Sequence, residues 1–189
     1  MDEDFEIVQR IRSGEVQVYE VLVRKYETRV RGFCLGILRN PTEAEDAAQE
    51  VFIKAYKGLK GFRAQAKFST WLYRIATYHC RDVLRKERRH RMESWEALRQ
   101  EHGEAFEARV AASKRESSPE QKELLRYALD QLPEQYKTVL ILREIQGLSY
   151  EELAEVLHCS LDAVKARLRR AREQLQAALE KREVPHGVR

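Results

Sequence analysis

Glycine and proline are scarce in this chain, with 8 and 4 copies in 189 residues, which leaves room for long uninterrupted elements. Most of those that occur fall at plausible helix boundaries. Long apolar runs are missing too: none approaches the roughly 20 consecutive apolar residues that span a bilayer, which argues against membrane insertion. The start, Met1-Asp2-Glu3-Asp4, is acidic and lacks the basic and apolar stretches of a secretory signal, so a cytoplasmic protein is expected. Cysteines are few, widely spaced and odd in number: Cys34, Cys80 and Cys159 fit neither a disulfide framework nor the paired spacing of a structural zinc site. His79-Cys80 and His158-Cys159 are adjacent pairs, but neighbours on a helix point about 100° apart and chelate poorly. A buried structural role is expected for the thiols, with redox or metal sensing as the minor alternative. No Ser, Cys or His constellation suggests a nucleophile and no carboxylates form a recognisable metal cluster, so neither catalysis nor a cofactor is expected.

Charge is what the chain has in plenty. Charged residues make up 35% of it, and the net charge is only +4, so distribution carries more information than the total. Arg81, Arg85, Lys86, Arg88, Arg89 and Arg91 form one basic block against Asp82 and Glu87. Lys165, Arg167, Arg169, Arg170 and Arg172 form a second, with no acid among them. A comparatively acidic stretch, Glu93 to Glu107, lies between. Two cationic patches separated in this way suggest two contacts with one polyanion.

Nearly every segment reads as helix, so the expected fold is all-α: two small helical domains, 1–91 and 119–183, joined by a flexible linker at 92–118. Ser13-Gly14 breaks a short first helix from a second that runs to about Leu38, with Val18, Leu22, Tyr26, Val30 and Phe33 inward. Asn40-Pro41-Thr42 turns the chain, and Thr42 with Glu45 reads as a capping box opening a helix through Ala47, Val51, Phe52 and Ala55, stopped by Gly58 and Gly61. The next helix begins near Ser69 or Thr70, buries Leu72, Ile75, Ala76, Cys80 and Val83, and ends in the basic run at Arg91. Ser118-Pro119 restarts the chain as N-cap and first helical residue, and helices follow over 119–131, 133–145, 149–157 and 160–181.

The last two of these form a helix-turn-helix pattern. Ser149-Tyr-Glu-Glu152 is a capping box after Gly147, its helix turns Leu153, Ala154 and Leu157 inward, and His158-Cys159-Ser160 makes the turn. The longer helix carries Leu161, Val164, Leu168, Ala171 and Leu175 on one face. Lys165, Ala166 and Arg169 then project to the opposite side, flanked by Arg167, Arg170 and Arg172, as a helix reading base edges between phosphates requires. In the first half, Phe62, Phe68, Trp71, Tyr73 and Tyr78 surround a loop and lead into the first basic block. Aromatics interleaved with cations suit single-stranded nucleic acid, although several of these rings are expected simply to pack the domain.

Three blocks resemble one family. Asp46-Ala-Ala-Gln49-Glu50-Val-Phe52-Ile-Lys-Ala55-Tyr56 resembles the core-polymerase-binding helix of extracytoplasmic-function (ECF, group 4) sigma factors. Phe68-Ser-Thr-Trp71-Leu-Tyr-Arg-Ile-Ala76, with Asp82-Val-Leu-Arg85-Lys86, is similar to their promoter −10 helix. Leu132-Pro133, Gly147-Leu-Ser149-Tyr-Glu-Glu152-Leu-Ala154 and Val164-Lys-Ala-Arg-Leu-Arg-Arg-Ala-Arg172 are similar to their −35-binding domain. The resemblance implies that Asp46, Gln49, Glu50 and Phe52 meet the coiled coil of the polymerase's largest subunit, and that the second domain meets the polymerase flap. It implies that Phe62, Arg63, Lys67, Phe68, Tyr78, Arg81, Arg85 and Lys86 serve the −10 non-template strand, where a flipped base is captured in the loop from Gly61 to Phe68. Tyr78 stands where many members carry Asn, offering a ring and one hydroxyl in place of a paired amide contact. Lys165, Ala166, Arg169, Arg170 and Arg172 would read the −35 duplex, and an anti-sigma factor would mask polymerase-binding surfaces. The runner-up is a stand-alone helix-turn-helix regulator, which leaves the Asp46-Gln49-Glu50 surface without a task.

Overall fold

The computed structural model describes residues 3–63, 66–98 and 119–183. The chain forms two compact units, Met1–Val110 and Ala111–Arg189, and the described residues of both are helical, with no strand among them.

The first unit consists of α1 (Glu3–Arg12), α2 (Tyr19–Leu38), α3 (Pro41–Gly58) and α4 (Phe68–Leu98), with 3₁₀ turns at Val16–Val18 and Leu59–Gly61. Its core is built where α2 packs against both α3 and α4, from Leu22, Val30, Phe33, Cys34, Val51, Ala55, Leu72 and Ala76. Cys34 and Cys80 are buried in it, as their apolar stripes require. The α2–α3 corner turns on Arg39, whose backbone is left-handed (φ 67°). Asn40 then caps α3: its side-chain oxygen accepts from the Thr42 and Glu43 amides at 3.0 and 3.4 Å. The expected cap was Thr42. Pro41 decides the matter, because its fixed φ and missing N–H suit the first helical position, which makes the residue before it the cap. α1 is held to α2 by a buried carboxylate: Asp4 accepts from the Tyr26 hydroxyl and, at 2.5 Å, from the Lys25 ammonium.

α4 begins at Phe68, a residue or two before the expected start, and runs on past Arg91 to Leu98. Arginine is a good helix former, so a basic run does not stop a helix unless Gly or Pro follows. Residues 99–118, the rest of the expected linker, lie outside the described residues.

The second unit is α5 (Pro119–Asp130), α6 (Glu134–Leu140), α7 (Tyr150–Leu157) and α8 (Leu161–Glu183). The α6 helix widens at its end into a π turn, Ile141–Ile145, where Gln146 N–H reaches back to the Ile141 carbonyl at 3.0 Å. Leu148 and Leu153 close the core from the far side of the turn at Gly147, whose φ of 75° favours glycine. Ala128, Leu132, Val139, Leu142, Val164, Leu168 and Ala171 complete it.

Candidate functional site

On α3 the inner stripe is Ala44, Ala47, Ala48, Val51, Phe52 and Ala55. Asp46, Gln49, Ile53 and Tyr56 are therefore carried outward, at spacings of three, four and three, along one face, and all are exposed. Two candidates fall elsewhere: Glu50 is half-buried, and Phe52 is only 7% exposed, its ring in the core and its carbonyl accepting from the Tyr19 hydroxyl at 2.7 Å. The 48-51-52-55 spacing carried that signal. Ile53 and Tyr56 were missed as surface groups. The Tyr56 ring lies 5.1 Å from that of Tyr19, so the outer row combines a carboxylate, an amide and an aromatic pair.

The flank of this row toward α4 is electrostatically tight. Burial, a hydrogen bond with Glu87 and the charges of Glu87 and Asp46 raise the Glu43 carboxyl above the ordinary range. His79 is lowered by burial and then by Lys54, whose ammonium lies 2.7 Å from its Nδ1.

Beyond α3 the chain forms the loop that leads into α4. Both of its aromatic ends lie inside the fold: Phe62 is 3% exposed and Phe68 1%, their rings edge-on at 5.9 Å, with Trp71 at 5.2 and 5.7 Å from them. Neither ring offers a face to a nucleotide; together they fasten the loop's two ends. Trp71 in turn lies on Gly58, where a Cβ would stand 3.1 Å from the indole. Arg63 and Lys67 are exposed. Residues 64–65 lie outside the described residues.

α4 buries Leu72, Tyr73, Ala76, Thr77 and Cys80 against α2 and α3, while Ile75 and Val83 are half-buried. Burial pushes the Tyr73 phenol up to about 12. The outward face is Arg74, Tyr78, Arg81 and Arg85, spaced by four, three and four and all exposed, with Lys86, Arg88 and Arg89 beside it. The Arg81 guanidinium lies 5.9 Å from the Tyr78 ring, and Arg85 pairs with Asp82 at 3.1 Å. Arg74 was missed, although it sits one turn before Tyr78 on the same stripe.

In the second unit both bonds of the predicted capping box form: Ser149 Oγ accepts from Glu152 N–H at 3.1 Å, and Glu152 accepts from Ser149 N–H at 2.7 Å. Ser149→Ala is therefore expected to destabilise the unit by about 1 kcal/mol in a urea melt. α7 packs through Leu153 and Val156, with Ala154 and Leu157 half-buried, so the inner stripe is rotated from the expected one. His158 makes the turn in a left-handed conformation (φ 48°), and Ser160 Oγ caps α8 by accepting from Ala163 N–H at 3.2 Å. Val164, Leu168 and Ala171 anchor α8, whereas Leu161, expected inside, is exposed because it precedes the first buried turn.

Lys165 and Arg169 are exposed one turn apart, Arg170 is exposed, and Ala166 and Arg167 are half-buried. Arg172 is drawn aside: its Nη2 lies 2.8 Å from Glu144 on the π turn. Next to that pair the Arg143 guanidinium lies 5.0 Å from the Tyr150 ring and donates to the Leu148 carbonyl at 2.6 Å. The π turn and the start of α7 are thereby tied together.

Both units match known protein families. The Sigma-70 region 2 family model matches residues 22–90, and Sigma-70, region 4 matches residues 122–175. The RNA polymerase sigma-H factor of Pseudomonas aeruginosa is 37% identical over 186 residues, covering 95% of each chain. The ECF RNA polymerase sigma-E factor of Escherichia coli is 33% identical over 173 residues, covering 89% of this chain and 90% of its own. The chain belongs to the sigma-70 family, as an ECF-type sigma factor. The fold of this sigma factor is also that of the sigma factor RpoE in complex with the anti-sigma factor NepR from Bartonella quintana, with TM-score 0.71 and 23% identity over 86% of this chain and 96% of that one. CnrH, in complex with the cytosolic domain of CnrY, aligns with TM-score 0.69 and 25% identity over 95% and 99% of the two chains. Among the described residues of this sigma factor, no helix is long and apolar enough to cross a membrane.

Proposed function

We propose that this sigma factor directs RNA polymerase to promoters through three separate rows of side chains. Asp46, Gln49, Ile53 and Tyr56 on α3 would meet the core enzyme. Arg63, Lys67 and the α4 row of Arg74, Tyr78, Arg81, Arg85 and Lys86 would take the −10 non-template strand, with Phe62 and Phe68 holding the loop from inside. Lys165, Arg169 and Arg170 on α8 would read and clasp the −35 duplex, with Ala166 giving the close approach. Its place of action would be the cytoplasm, with polymerase, and it performs no bond chemistry in this reading. The functional divisions would follow 1–91 and 119–183, the α4 helix extending into the segment between them.

The observation that carries the reading is the outward α3 row of carboxylate, amide and apolar groups, present in the same chain as a cationic row on α4 and another on α8. A stand-alone regulator needs a cationic row and has no use for the α3 row. Gel shifts decide between the two. The free protein should show no sequence-specific duplex binding and should gain it with core polymerase; specific binding unaided would overturn the proposal. Within the −35 row, Arg169→Ala should relax selectivity at one base position by about 1–3 kcal/mol, whereas loss of a phosphate contact would weaken all sequences alike. An anti-sigma partner would cover the α3 row, and a partner whose binding ignores substitutions at Asp46 and Tyr56 would exclude that.

A further inference from the structure

Arg12, the last residue of α1, carries no family motif and no part of the rows above. Its guanidinium nonetheless reaches the chain some fifty residues on. Nε and Nη2 donate to the Leu59 carbonyl at 3.0 and 2.6 Å, and Nη2 also donates to the carbonyls of Lys60, at 3.2 Å, and Phe62. Three main-chain oxygens thus converge on one cation. They converge at the end of the α3 run, where the 3₁₀ turn Leu59–Gly61 leaves carbonyls with few partners along the chain, the Leu59 oxygen also accepting from Phe62 N–H at 3.2 Å. They also form its negative end, which favours a cation. A planar guanidinium with donors in a fixed fork can hold several such oxygens in set relative positions; an ammonium presents a point charge and sets them less closely.

The base of Arg12 is itself well placed. α1 is fixed to α2 through Asp4, Tyr26 and Lys25. Its end is fixed by the Ser13 hydroxyl, which donates to the Arg10 carbonyl at 2.8 Å, and by the Arg10–Glu15 pair, also 2.8 Å. The grip falls where the loop begins. Phe62 is the residue before Arg63, the first exposed cation of the loop. Its ring is fastened by Phe68 and Trp71, and its carbonyl by Arg12. With ring and carbonyl both held, the direction in which the chain leaves Phe62 is set.

We infer that Arg12 is a positioning residue for −10 recognition, aiming Arg63 at the non-template strand. This presupposes the −10 role proposed for that loop. The distinguishing consequence is in base selectivity. A residue that only stabilised the unit would, when removed, weaken every promoter alike. A residue that aims the loop changes which −10 sequences are accepted.

The test uses the full chain with bacterial core polymerase and a pool of promoter fragments randomised across the −10 element. Fragments held in open complexes are sequenced, and core affinity and thermal melting are measured alongside. Arg12→Ala should keep core affinity and lose discrimination at the loop-contacted base about tenfold, the worth of one charge-assisted hydrogen bond. Arg12→Lys should recover part of it, and ethylguanidinium added to Arg12→Ala should recover more. The paired variant Arg63→Ala/Lys67→Ala tests the presupposition: an unchanged −10 profile there would mean that the loop does not read this element. A flattened profile there with an unchanged profile in Arg12→Ala would overturn the inference about Arg12 alone. So would a uniform loss across the pool that ethylguanidinium does not reverse. Should Arg12→Ala fail to fold, Arg12→Lys decides: selectivity equal to that of the unaltered protein overturns the inference, and a partial loss at the loop-contacted base supports it.

Discussion

Changing Asp46 and Gln49 together to alanine is expected to abolish transcription by the reconstituted holoenzyme while leaving the fold untouched. Both side chains point away from the core, so truncating them should alter stability by no more than about 0.5 kcal/mol. They stand one turn apart, beside Ile53 and Tyr56, so a partner helix covering the apolar pair would also dehydrate the carboxylate and the amide. Removing one member of a hydrogen-bonded charge pair in a desolvated interface costs roughly 2–5 kcal/mol, and losing the neutral Gln49 amide adds about 0.5–1.5 kcal/mol, together lowering core affinity about a hundredfold or more. Core affinity by fluorescence titration, read beside in vitro transcription, checks this. Glu20→Ala, an exposed carboxylate on α2 paired with Arg24, serves as the control and should transcribe normally. Undiminished transcripts from the Asp46→Ala/Gln49→Ala variant would remove α3 as the polymerase-binding surface.

How far the site was legible in the sequence depends on the range of the interaction that makes each part. Ser149 and Glu152 satisfy one another across a single turn, and the four residues that do so can be read directly. Thr42 and Glu45 offered the same pattern three residues apart, yet Asn40 caps α3 because Pro41 takes the first helical position. A local competitor, not a distant one, decided it. The α3 stripe carries Val51 inside and Asp46 and Gln49 outside, and the same spacing holds the answer for Phe52, which the family resemblance assigned to the polymerase surface. Phe62 and Phe68 are different, for nothing local says that two rings bracketing a polar loop will meet each other and Trp71. Arg12 lies furthest from local logic, since its partners are main-chain oxygens without side-chain identity. The π turn at Ile141–Ile145 was equally hidden, its composition being that of any apolar helix.

Leu168→Ala is expected to separate the two activities that a sigma factor combines. Leu168 is 1% exposed and lies between Arg167 and Arg169, so its loss removes none of the groups proposed to face DNA. With Val164 and Ala171 it forms the inner stripe of α8, against α6 and α7. Truncating a buried leucine costs about 3–4 kcal/mol through lost contacts and the cavity left behind. For a domain whose whole stability is on the order of 5–15 kcal/mol, that is a large fraction. The first unit has its own core, around Phe33 and Leu72. Urea unfolding should therefore show two transitions, the one from the second unit at lower urea and the other unmoved. With α3 intact, the variant should still occupy core polymerase and compete with the unaltered protein, yet fail to start transcripts at promoters that depend on the −35 element. A single transition moving as a whole would mean that the two units unfold as one. The separation of polymerase binding from −35 reading would then have to be sought in surface substitutions such as Arg169→Ala instead.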